Sequence, residues 1–225
     1  MRQAILETRK AGATAMELWP RHLPADTPEA ETAAVLEHAR ANGVRICGYG
    51  VVGLAKERTA PHLRYAKRLG CDYVSINVDP ADRESQAEAI TLAQDLGLKL
   101  GIHNHGPSHH YSTVDTVEAV LAGQPELFGA CVDTGHFLRA GEDATRAIER
   151  LGRRVHAVHL KDFTDEHTEV LPGTGRLNMP SALRALRAVG FSTAYVLEYE
   201  ADKLDPTPAV QKAVAAVAAA LAQIG

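Results

Sequence analysis

Positive charge, cysteine and long apolar runs are all scarce in these 225 residues. Lys and Arg number 24 against 28 Asp and Glu, a formal net charge of -4. No basic field therefore draws the chain to a nucleic acid or to an anionic membrane. No apolar run approaches the ~20 residues needed to span a bilayer. The opening Met1-Arg2-Gln3-Ala4-Ile5-Leu6-Glu7 reads as an amphipathic helix, without the apolar core and small-residue cleavage site of a secretion signal. Cys47, Cys71 and Cys131 are far apart and make no CxxC pair. They read as reduced, buried thiols of a cytoplasmic protein, and their dispersion excludes a structural zinc site of the usual spacing. No GxSxG elbow or P-loop is present, and no GxGxxG follows a strand.

What is present is ordinary in bulk and regular in pattern. Hydrophobic residues make up 45% and charged residues 23%, enough for one large domain, 1–225, with a sizeable core. Short apolar runs alternate with helical stretches, as βα units require. The apolar runs are Ala15 to Trp19, Val44 to Val52, Tyr73 to Val78, Leu98 to His105, Gly129 to Asp133, Val155 to Leu160 and Tyr195 to Glu198. Several are nearly continuously apolar, the mark of parallel strands covered on both faces. Helical stretches run from Pro28 to Ala41, Ala60 to Leu69, Asp82 to Leu96, Thr113 to Ala122, Asp143 to Leu151, Pro180 to Val189 and Pro208 to Ile224. The expectation is a TIM (β/α) barrel with about seven strands. An eight-stranded barrel normally opens with a strand before its first helix, whereas Met1 begins inside the helix preceding Ala15. The first strand is expected to be lacking, leaving a gap through which a second copy could associate.

Four strands in succession end in groups that bind divalent metals, and a parallel barrel gathers those ends at one mouth. In Ile102-His103-Asn104-His105, His103 and His105 share a face. Both can ligate, or one can ligate while the other touches substrate. In Asp133-Thr134-Gly135-His136, Asp133 offers a hard oxygen, the Thr-Gly pair makes a turn and His136 returns toward the mouth; alternatively Asp133 caps the next helix. His156 and His159 face opposite ways on their strand, and His159 lies nearer the mouth. Lys161 and Asp162 fall at the rim, to contact substrate or to pair in solvent. In Pro172-Gly173-Thr174-Gly175-Arg176, a short glycine loop can bring N–H groups to a ligand, and Arg176 can bind a carboxylate, phosphate or polyol. Glu198 and Glu200 share a face of the last strand, with Glu198 deeper, and a carboxylate there needs a partner or a metal. Glu17 poses the same question on the first strand, where Trp19 and His22 could wall a polar pocket.

Taken in order, these motifs resemble the xylose isomerase-like TIM barrels, specifically the sugar phosphate isomerase/epimerase group, over nearly the whole chain from Ala15 onward. The resemblance implies one divalent ion (Mn, Mg, Co or Zn) held by a Glu, an Asp, a His and a second Glu. Asp133, His159 and Glu198 match the last three. The first Glu is replaced by His103. In epimerases of this group the two glutamates also exchange the substrate proton from opposite faces, so the replacement bears on two-base epimerisation and not on metal binding. A related branch cuts DNA with three zinc ions, but that needs histidines on earlier strands, where Ile46-Cys47-Gly48-Tyr49 and Val74-Ser75-Ile76-Asn77 supply none.

The leading expectation is a metal-dependent isomerase or epimerase that forms an enediolate on a keto- or aldo-sugar, a sugar phosphate or a small hydroxycarbonyl acid, with Glu198, His103 or His105 as base. Glu17, Trp19, His136, Lys161, Arg176 and Glu200 are the expected substrate contacts. A lyase or dehydratase on a keto-sugar or keto-glycoside, expelling a β-hydroxyl or glycosidic oxygen, needs the same enolate and only one base and one acid. A catalytically silent sugar-binding barrel is the reading from a different class.

Overall fold

The computed structural model describes residues Met1–Ile224. Seven strands form one parallel sheet that curls into a nearly closed barrel. They are β1 (Ala15–Leu18), β2 (Arg45–Gly53), β3 (Tyr73–Asn77), β4 (Lys99–His103), β5 (Phe128–Asp133), β6 (Val155–Leu160) and β9 (Tyr195–Leu197), paired in that order. The remaining two strands, β7 (Asp162–Phe163) and β8 (Glu169–Val170), form a small antiparallel hairpin that directly follows β6 in the chain. Helices α1 (Arg2–Lys10), α2 (Glu29–Ala41), α3 (Thr59–Leu69), α4 (Arg83–Leu96), α5 (Val114–Leu121), α6 (Thr134–Arg139), α7 (Ala144–Leu151), α8 (Met179–Ala188) and α9 (Thr207–Gln223), with a 3-10 turn at Gly152–Arg154, make up the rest of the regular structure among the described residues.

Local chemistry places the helix ends. The Asp82 carboxylate accepts from the Ser85 amide at 3.0 Å, and Asp143 accepts from Thr145 and Arg146 at 2.8 and 3.1 Å. Each satisfies first-turn N–H groups that have no partner inside the helix. Gly70 and Gly97 close α3 and α4 at φ +76° and +65°, a conformation that disfavours a Cβ.

Strand alternation divides the buried residues into two sets. Val74, Ile76, Leu100, Ile102, Ala130, Val132, Val158 and Leu160 pack with helix residues such as Leu63, Ala89, Val117, Ile148 and Leu183. Their neighbours Tyr73, Cys131 and Ala157 form a separate cluster inside the barrel. The inner space is shared with polar side chains, and two glycines of β2 make room for them. A Cβ on Gly48 would lie 2.4 Å from the Tyr73 ring, and one on Gly50 would lie 2.4 Å from the Ser75 carbonyl oxygen. Gly48, Gly50 and Gly53 spell GxGxxG by letter, but they lie within a strand, and the first two serve close packing.

β1 and β9 end the sheet and face each other across a seam. A cavity of 570 Å³ occupies it, lined among others by Met16, Glu17, Tyr195, Leu197, Val214 and Leu221. The seven-strand expectation therefore holds, with the seam where the first and last strands do not pair.

The glycine loop after β8 differs from the sequence expectation. Its amides point at a side chain of this chain. Both oxygens of the wholly buried Asp162 are used: Oδ2 accepts from Gly173 and Gly175 at 2.9 and 2.8 Å, and Oδ1 from Phe163 and Leu177 at 2.8 and 2.9 Å. Asp162 is thus the organiser of this loop, not a group paired in solvent at the rim. Removing it strands several amides away from water, each at a cost of about 1–3 kcal/mol. Asp162→Ala should lower unfolding free energy by at least about 3 kcal/mol in urea denaturation, and an unchanged midpoint would show that the loop holds itself.

Candidate metal centre

Four side chains from four strand ends meet at the C-terminal mouth. His103 ends β4, Asp133 ends β5, His159 is the penultimate residue of β6 and Glu198 follows β9. One ligating atom from each lies within 4.8 Å of all the others. His103 Nε2 is 3.0 Å from His159 Nδ1, 3.9 Å from Asp133 Oδ2 and 3.8 Å from Glu198 Oε2. His159 Nδ1 is 2.6 Å from Glu198 Oε2. Four ligands at about 2.1 Å from one ion in tetrahedral array would stand about 3.4 Å apart, within the spread of these separations.

Two further observations fit a cation. Asp133 is wholly buried, and its Oδ2 has no hydrogen-bond partner among the described residues. Its Oδ1 accepts from the His136 amide at 2.7 Å and so caps α6. The capping and ligand readings of Asp133 are therefore compatible, one oxygen for each. The donor set of two imidazoles and two carboxylates suits a borderline divalent ion such as Zn, Mn or Co.

Neighbours fix the donors. Asn104 clamps the Asp133 backbone, donating to its carbonyl at 2.9 Å and accepting from its amide at 2.7 Å. Thr134, in the segment expected to be a turn and in fact the start of α6, donates to the Lys161 carbonyl at 2.7 Å. Lys161 is itself buried. Its ammonium donates to Glu198 Oε1 at 3.0 Å and to Glu200, with Glu169 at 3.9 Å. Its pKa is held above the ordinary lysine range: burial pulls it down, and the Glu198 and Glu200 carboxylates more than offset this.

A wall of imidazoles stands beside the four donors. The His105 ring lies 4.5 Å from His103, 5.4 Å from His136 and 4.4 Å from His109. Burial lowers the pKa of all four, to about 4 for His103 and about 3 for His136, so they are neutral at pH 7. His159 behaves oppositely. Burial opposes its charge, but the Cys131 sulfur and the Glu17 carboxylate outweigh burial and raise it well above the ordinary value. Burial and the Glu198 charge push Asp133 up. Glu198 is also raised by burial, but hydrogen bonds from His103 and His159 win and hold it far down.

The other expected site residues divide. Glu17 sits inside the barrel against His159, Tyr73 and Ser75. Lys161 and Glu200 reach Glu198 as a chain of ion pairs, and His136 joins the imidazole wall. Trp19 is 45% exposed and packs on His22 and Arg21. Arg176 donates to the Leu138 carbonyl at 3.0 Å and pairs with Asp165 at 3.3 Å, and it lines a separate 260 Å³ pocket with Asp143 and Asn178. It is not brought to the cluster. His156 is structural, 2.8 Å from the Glu126 carbonyl. Sequence reasoning missed Tyr73, Ser75, Asn104 and His109. The first two share the inward face of β3, and that spacing was the available signal.

The chain belongs to the xylose isomerase-like TIM-barrel family, whose model matches residues 5–220. It is similar to inosose dehydratase of Mesomycoplasma hyopneumoniae (strain 7448), 36% identical over 70 residues, or 31% of this chain. That match spans only 23% of the relative's length. A D-psicose 3-epimerase from Clostridium cellulolyticum H10, solved with D-tagatose, superposes with a TM-score of 0.80 at 17% identity over 98% of this chain and 93% of its own. The IolI protein solved with a bound zinc atom superposes with a TM-score of 0.79 at 18% identity over 99% and 94%. At these identities the two structures establish a shared fold.

The charge pattern sets a pH dependence. A folded-state pKa raised on a carboxyl, as at Asp133, costs stability as pH rises through it. One raised on an imidazole, as at His159, gives stability that is present at low pH and lost as pH rises. Glu198, depressed, stays ionised throughout. The four lowered imidazoles, His103, His105, His109 and His136, act in the opposite sense, adding stability as pH rises to their unfolded value near 6.5. The metal-free protein should therefore gain melting temperature from about pH 4 to 6.5 and lose it from about pH 6.5 to 8 as His159 deprotonates. Divalent-ion binding should release protons and tighten from about pH 5 to 8. Calorimetry in buffers of different ionisation enthalpy measures the release; binding with no proton release and flat affinity would contradict this charge assignment.

Proposed function

We propose that the protein is a divalent-metal-dependent lyase that removes water from a keto-polyol through an enolate. The observation that carries the reading is the unequal exposure of the four donors. His103, Asp133 and His159 have side-chain exposures of 2%, 0% and 7%, whereas Glu198 is 30% exposed. A substrate entering the mouth thus meets a single carboxylate of the cluster. A bound divalent ion held by His103, Asp133, His159 and Glu198 would supply Lewis-acid polarisation of the substrate carbonyl and neutralise the charge that develops there.

The residues of the chain do the rest. Glu198 takes the proton from the carbon beside the carbonyl, and the electron pair moves to the carbonyl oxygen. When the enolate collapses, the C–O bond to the neighbouring hydroxyl breaks. The proton collected by Glu198 goes to that leaving oxygen on the same face, giving water and an enone. Lys161, held against Glu198 and Glu200, keeps the carboxylate aimed at the mouth. The neutral N–H groups of His105 and His136 bind substrate hydroxyls without adding charge.

Epimerisation needs bases on both faces of the carbon, and position 103 offers a buried imidazole where a second carboxylate would stand. Partial similarity to inosose dehydratase supports elimination over isomerisation. Isomerisation shares the first proton transfer and is separated by product. Protein loaded with Mn²⁺ and given a keto-inositol in D₂O should lose water from the substrate, followed by proton NMR. Glu198→Gln should slow this about 10²- to 10⁴-fold. Solvent exchange with a rearranged sugar and no water loss would make it an isomerase. Neither exchange nor turnover with any keto-polyol would leave a sugar-binding barrel.

The proposal also places the protein in the cytoplasm, in keeping with three buried, unpaired cysteines and with the lack of a helix long and apolar enough to cross a membrane among the described residues. A second copy covers the seam beside β1 and β9, because unpaired strand edges recruit another chain. Light scattering should find a dimer or larger; a monodisperse monomer would overturn that part.

A further inference from the structure

Inside the barrel, one carboxylate has no role in the steps above. Glu17 of β1 points inward with 7% of its side chain exposed. Its Oε1 accepts from Ser75 Oγ at 2.5 Å, and its Oε2 from Tyr73 OH at 2.5 Å and from His159 Nε2 at 2.9 Å. The same His159 ring turns its other nitrogen, Nδ1, toward His103 Nε2 and Glu198 Oε2. The ring thus lies between Glu17 on one side and the metal-ligating cluster on the other.

We infer that Glu17 is a positioning residue that fixes the tautomer and direction of His159, with Nε2–H held by Glu17 and the Nδ1 lone pair aimed at the ion. The inference rests on the metal site proposed above. The physical ground is that an imidazole ligates through only one nitrogen, and the hydrogen bond at the other decides which one. Glu17 is an acceptor for all three groups around it, so it cannot donate to Nε2 without a proton of its own. Its direction is in turn over-determined. Tyr73 and Ser75 are both wholly buried, and Gly48 and Gly50 leave the space that lets them reach it. Leu and Gln at position 17 separate the possible roles. Leu fills the volume and offers no acceptor. Gln offers an acceptor oxygen without the charge.

The test uses the full chain and Co²⁺ or Zn²⁺ alone as probe. Glu17→Gln should weaken Co²⁺ affinity, measured by competition with a chelator, by about tenfold and Glu17→Leu by up to about a hundredfold. The intensity of the visible Co²⁺ bands should change in the same order, a readout that loss of packing by itself would not move. Asp133→Ala is the control for the site itself. If wild type and Asp133→Ala bind Co²⁺ alike, the metal-site reading falls. If Asp133→Ala loses the ion while both Glu17 variants keep wild-type affinity and spectrum, only the role of Glu17 falls. Should the Glu17 variants fail to fold, the wild type still decides. Long-range ¹H–¹⁵N spectra of the Zn²⁺-loaded protein should show His159 protonated at Nε2 and coordinated through Nδ1; a protonated Nδ1 overturns the inference.

Discussion

The interior of this barrel is organised around one buried imidazole. His159 holds Glu17 at 2.9 Å through one nitrogen and faces Glu198 at 2.6 Å through the other. Charge inside an apolar shell is tolerated only when it is paired and hydrogen-bonded. His159 supplies that pairing to two carboxylates that come from opposite ends of the chain. The contact also joins β1 to β6 near the seam, where the backbone ladder between β1 and β9 is missing.

The same constraint explains the distribution of polar side chains. Glu17 needs donors, and Tyr73 and Ser75 provide them because β2 carries glycine where it runs beside them. Lys161 is buried and therefore paired by Glu198 and Glu200. Asp162, one residue on, is buried and spends both oxygens on loop amides. Asp133 Oδ2 stands apart as a buried carboxylate oxygen with no such partner. A cation at the four-donor cluster would complete the pattern that every other buried charge here already follows.

Parts of this were readable along the chain. Nearly continuous apolar runs alternating with helical stretches marked a parallel barrel, because a strand covered on both faces leaves no room for polar alternation. The strand-end positions of His103, Asp133, His159 and Glu198 marked candidate donors, and the structure gathers them. The substrate contacts were less legible. Arg176 lies within the loop whose path is set by Asp162, between the anchored amides of Gly175 and Leu177, and that loop carries it to Leu138 and Asp165. Thr134 to Arg139 form a short helix where a turn was expected, because Asp133 caps it.

What the sequence by itself determined was periodicity: which residues alternate inward and outward, where helices start and stop, and which ligating groups fall at strand ends. Each of these depends on neighbours within a few positions. The tertiary structure alone decided that Glu17 meets His159 across 142 residues, that Tyr73 and Ser75 bind it, and that only Glu198 of the four donors faces solvent. Those outcomes depend on how far the sheet curls and on the register between strands. Curl and register are set by packing summed over the whole barrel, including the small shifts at Met16/Glu17 and Ala130/Cys131.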